Sequence, residues 1–360
     1  MAGVVVLVLH PSAAPGAGPL ESWLAAARDR LAGLHRSAFL EAGADDVRIV
    51  SGPPDDTSFG ERLRRFVEDE RPRGVVVLGA GAVPLARSSD RRALVDAAGS
   101  GEPRALTNNR YSSDVIAVSP AAALLELPDL PADNALPRWL EEVRGIEVAE
   151  LGGWRLGIDV DGPLDLVLLG RARPSVGMPP PPEKVDVATV VRCLDDVAGV
   201  AADRRAELLV AGRTSVEALG WLERRAAARI RALVEERGLR AAAIEAMGGS
   251  DRDSAVGRPP RSALGGLLDR DGPDAFGEIV AGLGDAALVD TRVLLAHRLG
   301  ADERGWPPPE DRYASDLLLH DRIADPWLRA VTRSAAAATV PIVLGGHTLV
   351  GPGIRLAVRR

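Results

Sequence analysis

The chain is short of several residue types, and each shortage excludes something. Cys193 is the single cysteine among 360 residues, which rules out an intramolecular disulfide framework and any multi-cysteine zinc site. Within a helix-like run from Thr189 to Val197, it reads as a structural thiol. Lys184 is the single lysine and sits beside a proline-rich stretch, so neither a Walker-type phosphate lysine nor a Schiff-base lysine is available elsewhere. No apolar run approaches the ~20 residues of a membrane helix. The run Val4-Val5-Val6-Leu7-Val8-Leu9 has no basic leader before it and reads as the buried first strand of a cytoplasmic protein. A net charge of −7 and a pI near 5.4 argue against a dedicated nucleic-acid or anionic-membrane partner.

What is present is length for two domains and an alternating pattern. Strands are expected at residues 4–9, 47–50, 74–78, 114–118 and 147–151, with a last one entering Ile158; helices are expected at 20–42, 59–70 and 90–98. Such alternation predicts an α/β fold, a mostly parallel sheet flanked by helices, with ligands beyond the carboxyl ends of the strands. Residues 1–170 form the first expected domain. A stiff connector follows at 171–184, with four consecutive prolines from Pro179. A second α/β domain of no recognised type is expected at 185–360, with a helix near 185–198, a strand at 207–210, a long arginine-rich helix reaching Arg237, a flexible loop at 248–262 and a strand at 286–290. A helix near 325–338 and the apolar run 340–344 close the pattern before a glycine-rich end. Both tyrosines lie in the pattern Arg-Tyr-x-Ser-Asp, at 110–114 and 312–316; no longer self-similarity supports a repeat.

Four groups of residues invite chemistry. In Leu156-Gly157-Ile158-Asp159-Val160-Asp161-Gly162-Pro163-Leu164-Asp165, Asp159 and Asp161 would share a face on a regular strand and could bring two hard oxygen ligands to a divalent cation. Pro163 is suited to a first helical turn, and Asp161 or Asp165 reads equally well as its cap. Gly212-Arg213-Thr214-Ser215 lies between a strand and a helix, where backbone amides favour an anion or Thr214 or Ser215 acts as an N-cap. Arg258 and Arg261 on a proline-stiffened loop could clamp a phosphate or form a solvated surface. Asp290, His297 and His347 are candidates for an acid-base or metal site in the second half.

Three segments in order resemble the nucleotidyltransferase branch of the GT-A-like fold, especially the guanylyltransferases of phospholactate and of the molybdenum cofactor. They are residues 74–85, ending Ala82-Val83-Pro84-Leu85, then Leu106-Thr107-Asn108-Asn109-Arg110 with the strand after it, and the segment Leu156-Gly157-Ile158-Asp159-Val160-Asp161-Gly162-Pro163-Leu164-Asp165-Leu166. The resemblance covers residues 1–170. It implies binding of an NTP or phosphorylated small molecule and transfer of a nucleotidyl group to a phosphate-bearing acceptor. On this reading Asp159 and Asp161 would hold Mg²⁺, Asn108 and Asn109 would contact base or sugar with Arg110 beside them on the ligand, and from the second half Arg213 and Arg261 would hold phosphates, with Thr214 also binding the ligand. Two positions depart from the family pattern: the loop 10–19 has glycines but no arginine or lysine, and Ala82 replaces a ligand aspartate. Either Asp159 and Asp161 manage the metal with help from the second domain, or the chain is a ligand-binding or scaffold relative without the chemistry. A third alternative places catalysis in the second domain. Nothing in the sequence excludes a homo-oligomer.

Overall fold

Valines and leucines at 4–9 form the middle of β1 (Ala2–Pro11) in the computed structural model, which describes residues 2–52, 55–236 and 260–359. The chain divides into two compact units, residues 1–17 with 25–160 and residues 18–24 with 161–360. The prolines at 179–182 fall inside the second unit. Both units are α/β, with helices flanking a mixed sheet in one and a parallel sheet in the other.

The first unit holds β1, α1 (Pro19–Glu41, from residue 25 onward), β2 (Asp46–Gly52), α2 (Phe59–Glu70), β3 (Pro72–Gly79), α3 (Ser88–Ala98), β4 (Arg104–Thr107), β5 (Val115–Ser119), α4 (Leu136–Glu142) and β6 (Glu147–Glu150). The sheet order is β2-β1-β3-β5-β4-β6. β1 runs parallel to β2 and β3, while β5 is antiparallel to both of its neighbours. Alternation along β1 sends Val4, Val6 and Val8 into one core with Phe39 and Leu94, and Leu7 into another with Leu63 and Val67; this is how a sheet covered on both faces distributes its side chains. β4 went unread because it is four residues long and begins with an arginine. The strand expected to enter Ile158 is also absent: Trp154–Gly157 is a 3₁₀ turn, and Asp159 makes only an isolated antiparallel bridge with Ala82.

The second unit holds α5 (Pro163–Ala172), α6 (Ala188–Ala201), β7 (Glu207–Gly212), α7 (Val216–Arg225), β8 (Arg229–Val234), α8 (Ala263–Asp271), α9 (Phe276–Ala281), β9 (Ala286–Asp290), α10 (Thr291–Leu299), α11 (Pro309–Asp316), α12 (Pro326–Ala336), β10 (Ile342–Gly345), α13 (His347–Val350) and α14 (Ile354–Ala357). Its parallel sheet runs β10-β9-β7-β8. The long helix expected to reach Arg237 stops at Arg225 and gives way to β8, whose register is fixed by pairing with β7 from Glu207↔Arg229 to Gly212↔Val234. Tertiary pairing here overrides the helical propensity of an alanine- and arginine-rich stretch. The loop expected at 248–262 lies outside the described residues up to 259; Ser262 caps α8 by accepting the Gly265 amide. The two Arg-Tyr-x-Ser-Asp segments differ in conformation, an irregular bend at 110–114 and helix at 312–316. No helix among the described residues is long and apolar enough to cross a membrane.

Candidate ligand-binding site

In the first unit the sequence places its least ordinary backbone at the carboxyl ends of β1 and β3. After Gly79 the chain turns: the Ala80 amide donates to the Leu9 carbonyl at 2.8 Å and the Ala82 amide to the Gly79 carbonyl at 3.0 Å. Val83, fully buried, adopts φ +43, a conformation that a β-branched residue keeps only where its surroundings enforce it. The enforcement is visible: the Val83 amide donates to the Ile158 carbonyl, and the Val160 amide to the Gly81 carbonyl, both at 3.1 Å. Two of the three segments that carry the resemblance, 74–85 and 156–166, thus meet at this turn.

Side chains gather at the same place. Arg28 of α1 donates from Nε and Nη2 to the Val160 carbonyl at 3.0 and 2.8 Å. A methyl group at Gly81 would stand 2.8 Å from that carbonyl oxygen, 3.0 Å from Asp159 Oδ1 and 3.3 Å from Arg28 Nε, so a guanidinium, a carboxylate and a side-chain-free turn share one point. His10, at the end of β1, is buried, with Nδ1 unpartnered among the described residues and Nε2 3.7 Å from Asp29 Oδ1. Burial lowers its pKa; Asp29 opposes and Arg28 assists that shift. Behind the turn His35 is fully buried and pushed down to about 4, by burial first and then by Arg91, against the carbonyls of Ala82 and Ala80. Both imidazoles are neutral at pH 7. The loop after β1 has no cation of its own; Arg28 supplies one from the next helix, and neither Arg28 nor His10 was singled out by sequence. His10 carried a signal as the polar residue ending an apolar strand. Arg28 carried none among the other arginines of α1.

The remaining expected residues spend their side chains on the fold. Asn108 donates to Asp114 Oδ2 at 2.8 Å and to the Leu156 carbonyl at 2.9 Å, and its Oδ1 accepts the Asp114 and Val115 amides, which ties the remaining segment of the resemblance, at 106–110, to the approach of Asp159. Asn109 Oδ1 accepts the Tyr111 amide, and Arg110 is paired with Glu141. Asp159 Oδ1 accepts the Val160 amide. Asp161 is exposed and belongs to the second unit, where its amide and that of Gly162 donate to Asp165 Oδ2 at 3.0 and 2.9 Å. The regular strand that would have put Asp159 and Asp161 on one face does not form. Asp165, not Asp161, caps α5. It is pushed up to about 8, by burial first and next by Asp161, with Asp316 adding a smaller share.

Arg213 holds Asp290 through Nε at 2.6 Å and Nη2 at 3.2 Å. Ser215 rather than Thr214 caps α7. Arg261 is exposed, its amide bonded to Glu236; Arg258 lies outside the described residues. Of the Asp290, His297 and His347 set, the charge of His347 bears on Asp290. His297 is placed elsewhere: its Nδ1 accepts the Ser262 amide at 3.0 Å and its Nε2 lies 2.9 Å from Asp269 Oδ2 on α8. Seven residues along a helix carry it about 10 Å past Asp290. Among the described residues no group of three His, Cys, Asp or Glu side chains is placed to hold a metal ion. Neither protein-family models nor curated proteins give a match to this chain.

Proposed function

We propose that the first unit is a nucleotidyltransferase-like module that binds a nucleotide or another phosphorylated small molecule at the carboxyl ends of β1 and β3, and that its role is binding rather than transfer. The observation that supports this is the meeting at Gly81 of the strained Val83 turn, Asp159 and the Arg28 guanidinium. Strained backbone and convergent polar groups at parallel strand ends are where α/β proteins hold ligands. Arg28 supplies the phosphate contact, and Gly81 lets the turn pack against Val160, Asp159 and Arg28. The case for binding over transfer is that Ala82 offers a methyl group opposite Asp159, where transfer would call for a carboxylate and a cation to neutralise phosphates. A cytoplasmic setting, where nucleotides are abundant and a lone thiol stays reduced, fits the same reading.

Calorimetric titration with GTP, CTP, UTP and ATP, each with Mg²⁺ and then with it chelated, tests the proposal. One nucleotide is expected to bind in both conditions, and Arg28→Ala to weaken it roughly 10- to 100-fold, the worth of a charge-assisted hydrogen bond. Failure of all four to bind would overturn the reading. Binding that vanishes on chelation, with pyrophosphate release, would replace it with nucleotidyl transfer.

A further inference from the structure

The second unit contains a concentration of buried charge that the first-unit reading does not use. Its sheet order, β10-β9-β7-β8, means that the chain leaves β7 for β8 on one flank and then returns to β9 on the other. The direction of winding reverses between β7 and β9, and in open parallel sheets the crevice beyond the carboxyl ends at such a reversal is the ligand site.

Gly212 ends β7 at φ +125, and a Cβ there would lie 2.3 Å from that of Asp290, which ends β9; only glycine allows the two ends to come this close. Into the crevice come Arg213, bidentate on Asp290, and Arg292, bidentate on Asp316 of α11 and bonded to Thr291 Oγ1 at 2.9 Å. Burial pushes Asp290 up, but the guanidiniums of Arg213 and Arg292 prevail and hold it below the usual carboxylate range. Each guanidinium is thus clamped along one edge, leaving Arg213 Nη1 and Arg292 Nε without a hydrogen-bond acceptor among the described residues. Arg292 Nε faces Gly346, 3.8 Å from where a Cβ would be. Thr214, on the same turn as Arg213, is completely buried with Oγ1 unpartnered among the described residues. His347 is exposed and near enough for its charge to bear on Asp290.

The donors left over decide what this crevice accepts. Arg213 and Arg292 are paired with Asp290 and Asp316, burial pushing Asp316 up against its guanidinium, and Asp165 nearby is pushed up to about 8. Arg213 Nη1, Arg292 Nε and the buried Thr214 hydroxyl remain, fixed donors of the kind that hold an oxyanion. We propose that the crevice between the carboxyl ends of β7 and β9 is a second small-molecule site, which holds a carboxylate or phosphate group on the guanidiniums of Arg213 and Arg292.

The test is NMR titration of the whole chain with pyrophosphate and, separately, with succinate, which distinguishes the two sources of the oxyanion. One of them is expected to bind with a dissociation constant on the order of millimolar or tighter, moving the Arg292 Nε–H and His347 ring resonances together. Arg292→Lys retains a cation for Asp316 but loses the fork, and is expected to weaken binding about tenfold. Should that variant fail to fold, His347→Ala removes an exposed imidazole whose charge bears on Asp290 and is expected to weaken binding a few-fold. Arg28→Ala serves as the control and should leave this binding unchanged, so that failure here and failure of the first-unit reading are told apart. Absence of binding by both probes, binding unaffected by the second-unit variants, or binding abolished by Arg28→Ala would overturn the proposal.

Discussion

Asp165 is where a single residue has the largest consequence. Its carboxyl is buried, accepts two backbone amides, and titrates near 8 because burial and the neighbouring Asp161 disfavour its charge. An acid whose folded pKa lies above its unfolded value of 3.8 holds a proton in the native state that the unfolded chain has released. Stability from this group is therefore complete below pH 4 and declines as pH rises to about 8. Asp165→Asn mimics the protonated form and retains an amide acceptor for both bonds. Urea unfolding at pH 5, 6 and 7 should show the slope of stability against pH differing between the two proteins by about 1.4 kcal/mol per unit, the worth of one proton. Parallel pH profiles would show that Asp165 is ionised in the folded chain.

At the scale of elements, capping and close approach do most of the specifying. Helix α2 begins at a serine whose side chain accepts the Glu61 amide at 3.1 Å and ends at Arg71 in the left-handed region. Ser58→Ala is expected to cost about 1 kcal/mol in denaturant unfolding. Gly74 of β3 tolerates less: a Cβ there would sit 1.8 Å from the Ala98 carbonyl oxygen at the end of α3. Backbone cannot yield as a flexible side chain does, so Gly74→Ala should cost more than the loss of a cap, about 2 kcal/mol or above. A Gly74→Ala protein as stable as the parent would show that α3 does not press on β3.

Across the whole molecule, the arginine excess is largely spent on carboxylates: Arg48 with Glu70, Arg62 with Asp55, Arg171 with Asp195, Arg333 with Asp274 and Arg355 with Glu217 are examples from both units. With a net charge of −7 the chain as a whole is repelled by a duplex rather than drawn to it by counterion release. A short DNA duplex should show no mobility shift with the chain at physiological ionic strength. A shift that weakens as salt is raised would reveal a basic surface hidden by the net charge.

Much of the architecture was legible along the chain, because strands buried on both faces must be apolar and helix starts carry local signals. The run at 4–9, the strands at 74–78 and 286–290, and the starts of α2 at Phe59 and α5 at Pro163 were readable for that reason, and the edge strand at 47–50 by its β-branched residues alone. What failed to read depends on partners distant in sequence: β4 and β8 are strands because β5, β6 and β7 pair with them, and Asp159 joins no strand but one bridge to Ala82. The same division holds for the sites. Sequence alone determined the supply of chemistry, namely one thiol, one lysine, many arginines, and aspartates next to glycines at strand ends. Tertiary structure alone decided which of these meet: Arg28 rather than a loop residue beside Asp159, Asp290 with Arg213 rather than His297, and Asp165 rather than Asp161 as the cap of α5. The physical reason is that composition and periodicity are local quantities, whereas burial, ion pairing and the pKa of a carboxyl are set by atoms that only the folded chain brings together.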